Sequence, residues 1–551
     1  MPATPCETQD TSALRWNLLD EALIRWRSIE DGSLHHSSLP QLLAAMANLQ
    51  VYDFPALRPH QRHPWHAFLV QLGAIALHHA GQSEPWQQAD AWRAALLALT
   101  PDDPDGAAWC LVTPADRPAL LQAPIKKGIQ DWEENVLTPD RLDMLVTSKN
   151  HDIKRMRMKS NAVDDWLYAL VSLQTQAGSN SGSYKGISRM NSGAGSRPCV
   201  GISRNKKWSQ RWRDDILILL KNRSSIATDC YLKLENGLSL LWLLPWDEDH
   251  SISFNSLDPF YIEICRRIRL EIRGEYVLAR TTTNSMSRIQ ENDLRKGRTG
   301  DPWTPVDKAG AKIMAVPKNG FDYRLIAKLV IYDDIYQPSI TQSLEPWHGD
   351  DNLTLICQGI APDGNSKTSG YHERRVPIPS RMRRLLISDH RPIIAHVAKR
   401  RIDTISTMKA NLIYSLITLL INGDQKKDGN KNKKEKKLAE RFTHDFEKKE
   451  DSRFFADLQQ EIDAEETQRE EVYLQWLLAL AARAEQVLRH AFIAGPRSNM
   501  QRYKAQSAAL SRFDAGLRSS KSFPELANHF ARQRASRTAH AAPDSEGAHH
   551  A

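Results

Sequence analysis

A ladder of apolar residues beginning near Pro392 sets the firmest limit on what this chain can become. Ile394, Val397, Ile402, Ile405, Met408, Leu412, Leu416 and Leu419 recur every three to five positions. At 3.6 residues per turn that spacing lays an apolar stripe along one side of a helix, and the stripe has to be buried. The pattern returns three more times. Leu438, Phe442 and Phe446 open a second helix, and Val472, Trp476, Leu480, Ala484, Val487 and Ala491 define a third that Gly495 and Pro496 stop. A fourth runs from Met500 to about Leu517. Four amphipathic helices in succession, mostly with short connections, predict an antiparallel four-helix bundle over 389–519. The pair of Glu-x-x-His motifs that a metal-holding bundle uses is missing, so this reads as a support or interaction module.

Upstream the pattern keeps changing. At 551 residues the chain is too long for one core. Over 16–388 it alternates short helices, short apolar runs and Gly, Pro, Ser and Asn breaks. Ser38 and Pro40 open a helix over 41–48. Helical spacing continues over 65–79 and 166–176, while 238–245 and 325–332 read as strands or buried edges. The expected class is α+β: a large irregular mixed α/β domain followed by the helical bundle. A flexible N-terminus over 1–15 and a disordered tail over 520–551 flank it.

Bulk properties narrow the function classes only a little. The net charge is +8, with 41% hydrophobic and 25% charged residues. The pI of about 9.0 is compatible with a polyanionic partner without demanding one. No run approaches the roughly 20 apolar residues of a membrane helix, and the first ten residues lack the order of a signal peptide. Six scattered cysteines, with no C-x-x-C pair, suit reduced thiols. The expected compartment is the cytoplasm.

Enzyme templates are weakly matched. There is no G-x-S-x-G, no H-E-x-x-H and no phosphate-loop ending. His60, His63, His66, His78 and His79 fall near one helix, where surface or core-lining roles outweigh a metal site. His348, Asp350 and Asp351 are the set a divergent metal-dependent nuclease would use, because phosphodiester cleavage needs carboxylates around a cation. No second constellation accompanies them, so a solvated turn is the expected state. The prediction is binding without catalysis, with no cofactor and no metal.

Three segments combine the residue types that grip a duplex. The first, 178–195, sets Gly178, Gly182, Ser183, Tyr184 and Lys185 among further glycines, which lets backbone amides approach a groove. The second is a basic finger carrying Arg295, Lys296 and Arg298, braced by the Pro- and Trp-containing stretch 301–305. The third, 364–370, offers Asn365, Lys367 and Thr368, small polar groups suited to groove edges or to prying bases apart. Each taken alone is equally an ordinary solvated loop. The lysine-rich run 423–437 also admits two readings, a solubilising loop or a phosphate-contacting arm.

In order along the chain, the strings SLPQLLAAMA, FPALRPHQRHPWHAFLVQLGAIAL, LDMLVTSKNHDIKRMRM, WLYALVSLQTQ, GISRMNSGAGSRPCVG, LDPFYIEICRRIRL, RTGDPWTPV, GFDYRL and GYHERRVPIP resemble the CasA family. These are large subunits of the type I-E CRISPR surveillance complex, Cascade. The resemblance implies a large mixed α/β domain followed by a four-helix bundle. It further implies recognition of a short protospacer-adjacent motif (PAM) on double-stranded target DNA and destabilisation of the duplex, which licenses R-loop formation. A separate helicase-nuclease is then recruited in trans. Implied partners are crRNA and the backbone, handle-binding and small subunits of Cascade. By the same resemblance, Gly178 to Lys185 correspond to a glycine loop, Lys296 to a lysine finger and Lys367 with Thr368 to a wedge, where the usual glutamine is missing. Lys149, Asn150 and His151 correspond to the loop that meets the crRNA handle and a neighbouring subunit.

Overall fold

The computed structural model describes residues 14–143, 158, 161–176, 197–204, 207–246, 251–274, 276–282, 288–290, 296–349, 351–362, 368–423, 433–496 and 498–540. Two compact units are present: Met1–Phe321 with Lys328–Ser380, and Asp322–Ala327 with Arg381–Ala551. The class is mixed α and β with a helical C-terminal region, as the sequence predicts.

The first unit is organised around the helix Arg62–His79. Every residue from His63 to Leu77 is buried, as expected for a helix apolar on nearly all sides. It packs against the helices Val163–Thr175 and Trp208–Cys230 and the strand Leu257–Ile262. At Gly73 the approach is so close that a Cβ would meet Ile216 Cδ1 at 2.7 Å and Trp212 Cζ2 at 3.3 Å. Tryptophans fill the surrounding core, and several of their indole N–H groups find acceptors, although that of Trp65 does not. Trp212 donates to the Leu69 carbonyl and Trp242 to that of Ala108, each at 3.1 Å. The helix expected over 41–48 spans Leu39–Ala47. Ser38 caps it, and the Gln41 side chain accepts from the Ser38 amide at 3.0 Å.

Most strands among the described residues are short, and they fall into sheets of two or three. The important one is antiparallel, with Leu353–Pro362 between Thr368–Ile378 and Cys199–Ser203. Its register pairs Leu355 with Val376 and Cys357 with Val200.

Two expectations for this region need correction. The 238–245 run holds only the strand Leu238–Leu240 before turning into a 3-10 helix, Leu241–Leu243. The 325–332 run is mostly helical, within Tyr323–Val330. Tyr323, Ile326 and Ala327 are buried at helical spacing, whereas Lys328 is exposed, and Asp322 Oδ1 accepts from the Leu325 amide at 2.9 Å. A run of β-compatible residue types misleads when the burial period is three to four.

Among the described residues the second unit holds five long helices: Arg391–Leu420, Lys433–Asp463, Arg469–His490, Asn499–Leu517 and Pro524–His540. The first packs against the next three. The fifth corrects the expectation of a disordered tail from residue 520. Phe523 and Leu526 are buried at 1% and 0% exposure, and Glu525 pairs with Arg400 at 2.8 Å. Two apolar anchors and an ion pair suffice to dock a helix of otherwise polar composition. The lysine-rich run, expected as a loop through residue 437, becomes helical from Lys433. Within it, 424–432 lie outside the described residues.

The buried seam of Arg391–Leu420 also differs in one position. Ile394, Val397, Ile405, Met408, Leu412, Leu416 and Leu419 are buried, but Arg401 takes the place assigned to Ile402. Helical geometry favours 401, four residues before 405. The cost of the buried guanidinium is offset by Glu461, whose Oε2 accepts from Arg401 Nε at 2.6 Å, and by the Trp476 ring, 4.3 Å away.

Candidate nucleic-acid interface

The sheet built on Leu353–Pro362 gathers the roots of the three predicted segments. Strand Cys199–Ser203 follows the first segment, and its register sets Cys199 opposite Gln358 and Thr354 opposite Ser203. Residues upstream of Cys199 therefore approach the same end of the sheet as the connection between Pro362 and Thr368. A Cβ on Gly359 would lie 3.4 Å from Pro198 Cα. The base of the basic finger is stitched to this end as well. The Val200 amide donates to the Trp303 carbonyl at 2.8 Å, and Thr304 Oγ1 donates to the Pro198 carbonyl at 3.0 Å.

Of the predicted DNA-binding residues, Lys296, Arg298 and Thr368 are described. Gly178, Gly182, Ser183, Tyr184, Lys185, Arg295, Asn365 and Lys367 lie outside the described residues, as do Lys149, Asn150 and His151. Thr368 opens the strand Thr368–Ile378 and pairs with Pro362.

The finger turns through left-handed backbone at Lys296 (φ 48°), Gly297 (φ 81°) and Gly300 (φ 73°). A non-glycine residue in that region carries strain of order 1 kcal/mol, so Lys296 is held there by its surroundings. Its carbonyl accepts from the Ile313 amide at 3.2 Å, and its ammonium donates to the Gly310 carbonyl at 2.9 Å. Lys296 and Arg298 are both exposed, and so are Lys308, just after the strand Val306–Asp307, and Lys312, which opens the strand Lys312–Ile313. The tip therefore carries cations held on a braced turn. At the foot, Gly300 sits where a Cβ would meet Leu232 Cδ1 at 3.0 Å and Ile226 Cγ2 at 3.3 Å. A cavity of about 310 Å³ opens there, lined by Ile226, Cys230, Arg298, Thr299 and Ser339 among others.

Beneath the finger lies a polar core that sequence reasoning missed. Arg197 is fully buried and pairs with Asp301 through Nε to Oδ2 and Nη2 to Oδ1. It also donates to Gln71 Oε1 at 3.2 Å and lies over the Trp303 ring at 5.1 Å. Trp303 Nε1 donates to Asp215 Oδ2 at 3.1 Å, and the same oxygen accepts from His66 Nε2 at 2.7 Å. Burial pushes the Asp215 carboxyl up to about 6 and holds His66 well below the usual histidine range, so the imidazole is neutral. The available signal was a charged residue inside each otherwise apolar or loop-like string, Arg197 in one and Asp301 in the other.

The segment proposed for crRNA is rooted elsewhere. Just before it, buried Asp143 accepts from His60 Nε2 at 2.9 Å, Gln61 Nε2 at 2.7 Å and Arg58 Nη2 at 3.0 Å. Burial opposes ionisation here, but His60 and Arg58 outweigh it and hold the carboxyl below its usual range. After the segment, Arg25 grips Asp164 through two nitrogens. The helix Val163–Thr175 begins there and leads to Gln176, whose side chain donates to the Arg197 carbonyl at 2.8 Å. Thirteen helical residues put about 20 Å between the two roots.

The expected solvated turn at residue 348 is corrected. His348 is buried, and its Nδ1 accepts from the Glu345 amide at 3.0 Å. The 3-10 turn Pro346–His348 folds the imidazole inward, while Asp351 is exposed and Asp350 lies outside the described residues. Among the described residues, no group of three or more His, Cys, Asp or Glu side chains is placed to hold a metal. Among the same residues, no helix is long and apolar enough to cross a membrane.

No protein-family model matches the sequence, and no curated protein matches it. Solved structures do match. CRISPR-associated protein Cse1 from Acidimicrobium ferrooxidans superposes with a TM-score of 0.62 at 14% identity, covering 93% of this chain and 99% of that one. For Cse1 from Thermobifida fusca the TM-score is 0.60 at 13% identity, with 94% and 99% covered. For CasA from Thermus thermophilus it is 0.56 at 14%, with 91% and 99% covered. The chain thus has the fold of Cse1/CasA proteins over nearly its whole length, the fold that the sequence resemblance implies.

Proposed function

We propose that this chain is the large subunit of a type I-E CRISPR surveillance complex. In this reading it inspects a PAM on duplex DNA with the basic finger, helps part the strands, and leaves cleavage to a helicase-nuclease recruited in trans. The observation that carries the proposal is the shared sheet end: the roots of all three segments expected to grip DNA converge there, on a Cse1/CasA fold. Exposed Lys296 and Arg298 on a rigid turn suit phosphate and groove contacts, while Asn365, Lys367 and Thr368 would enter between the strands. Gly178, Gly182, Ser183, Tyr184, Lys185 and Arg295 would complete the groove contacts, and Lys149, Asn150 and His151 would meet crRNA or a neighbouring subunit. Sequence would be read by guide pairing, and only the PAM and duplex shape by protein. The chain then needs no catalytic residues of its own.

The test is a gel-shift titration of the assembled crRNA-guided complex against a matched duplex. Lys296→Ala with Lys367→Ala should weaken target binding at least ten-fold while leaving subunit assembly intact. Unchanged binding would remove those two side chains from the interface.

A further inference from the structure

Lys296 and Arg298 stand on a turn with left-handed backbone at Lys296, Gly297 and Gly300, and the residues behind it hold its root. At the finger's C-terminal root, the Asp301 side chain is 3% exposed and Trp303 is 0% exposed. Each is gripped from a different element. Asp301 meets Arg197, which precedes strand Cys199–Ser203. Trp303 meets Asp215 on the helix Trp208–Cys230. Gln71, from the central helix Arg62–His79, fixes Arg197 through its Oε1 and the Phe260 and Tyr261 carbonyls through its Nε2. Backbone bonds complete the grip: Val200 to Trp303, and Thr341 to Pro302 at 3.1 Å.

We propose that Arg197 is a positioning residue for the basic finger, acting through its buried pair with Asp301, so that the pair sets how sharply the finger discriminates between flanking DNA sequences. Lys296 and Arg298 would make the contacts. Arg197 makes none and lies fully buried. A mobile cation can neutralise phosphates of any sequence, whereas reading a groove edge requires a donor held to within a fraction of an ångström. Loosening the pair should therefore cost discrimination more than it costs general affinity. This consequence for DNA rests on the proposed function, but the mechanical part does not.

Two measurements separate the parts. The first is amide hydrogen exchange on the free full-length chain, wild type against Asp301→Asn and Asp301→Glu. Asp301→Asn should raise exchange across 296–300 roughly ten-fold while Arg62–His79 stays unchanged, and Asp301→Glu, which keeps the anion, should fall between. Unaltered exchange at 296–300 overturns the proposal, and so does a uniform rise that includes the central helix. The second is binding of the assembled complex to duplexes carrying a randomised triplet beside a guide-matched sequence. Asp301→Asn should narrow the spread between best and worst triplets about ten-fold with the salt dependence retained. A parallel loss on all triplets overturns the discrimination role. Indifference of every duplex to Lys296→Ala would instead refute the functional reading while leaving the exchange result standing.

Discussion

Trp303 donates its indole N–H to Asp215 Oδ2 at 3.1 Å, inside a core where neither residue reaches water. The bond ties the base of an exposed loop to the middle of a 23-residue helix, Trp208–Cys230. His66 Nε2 shares the same carboxylate oxygen at 2.7 Å. Arg211 Nε is 3.9 Å from it, too far for a good hydrogen bond. A carboxylate this sealed holds its proton more strongly than it would in the unfolded chain.

A pH dependence of stability follows. Burial pushes Asp215 up to about 6, against about 4 for an unfolded aspartate. The fold binds that proton more readily, so the contribution is full below about pH 4 and is lost as pH rises through 6. Asp215→Asn cannot titrate. Relative to that variant, the wild type should gain roughly 1 kcal/mol of stability between pH 7 and pH 5. Urea melts at both values check this, and a constant difference would contradict it.

The close approach at Gly73 predicts a size-specific defect. Gly73→Ala would add a methyl group 2.7 Å from Ile216 Cδ1. Overpacking of this kind costs about 1–3 kcal/mol, against about 1 kcal/mol gained in helix propensity. A lower melting temperature is expected, and Ile216→Val, which deletes the clashing methyl group, should restore most of it. Failure of that rescue would place the strain elsewhere.

Arg401 and Glu461 form an ion pair with side chains only 1% and 2% exposed. Glu461→Ala should destabilise the helical unit by roughly 3–5 kcal/mol, because it strands a buried guanidinium. Replacing both, Arg401→Met with Glu461→Leu, should recover most of the loss. A double variant as weak as the single one would show that the pair itself is favourable. Chemical denaturation of the three variants measures it.

Lys433, Lys434, Lys436 and Lys437 stand on the first turns of their helix, and Lys433, Lys434, Lys436 and Lys437 alike carry ammonium groups suited to phosphate. If they meet DNA, changing the four to Gln should flatten the slope of log affinity against log salt by about 0.9 for each phosphate no longer neutralised. An unaltered slope in the assembled complex would leave them as solubilising residues.

The C-terminal helices were legible from sequence because their evidence is local. A stripe such as Ile394, Val397, Ile405 and Met408 needs only a 3.6-residue period, which each helix carries within itself. Local reading failed where residue type and burial disagreed. Arg401 occupies a seam position because Glu461, 60 residues on, compensates it, and the polar helix Pro524–His540 docks through Phe523, Leu526 and a pair with Arg400. His348 is turned inward, with its ring nitrogen accepting from the Glu345 amide, a contact that residue type alone does not announce.

The sequence by itself determined the class and the helical ladder, and it picked out the basic finger carrying Lys296 and Arg298; of the third expected loop, residues 368–370 instead open the strand Thr368–Ile378. The tertiary structure decided which residues hold the finger, since Arg197 and Asp301 stand 104 positions apart and neither shows a period or motif. Their pairing exists only once the sheet, the central helix and the tryptophan core have excluded water and made an isolated charge too costly to leave alone.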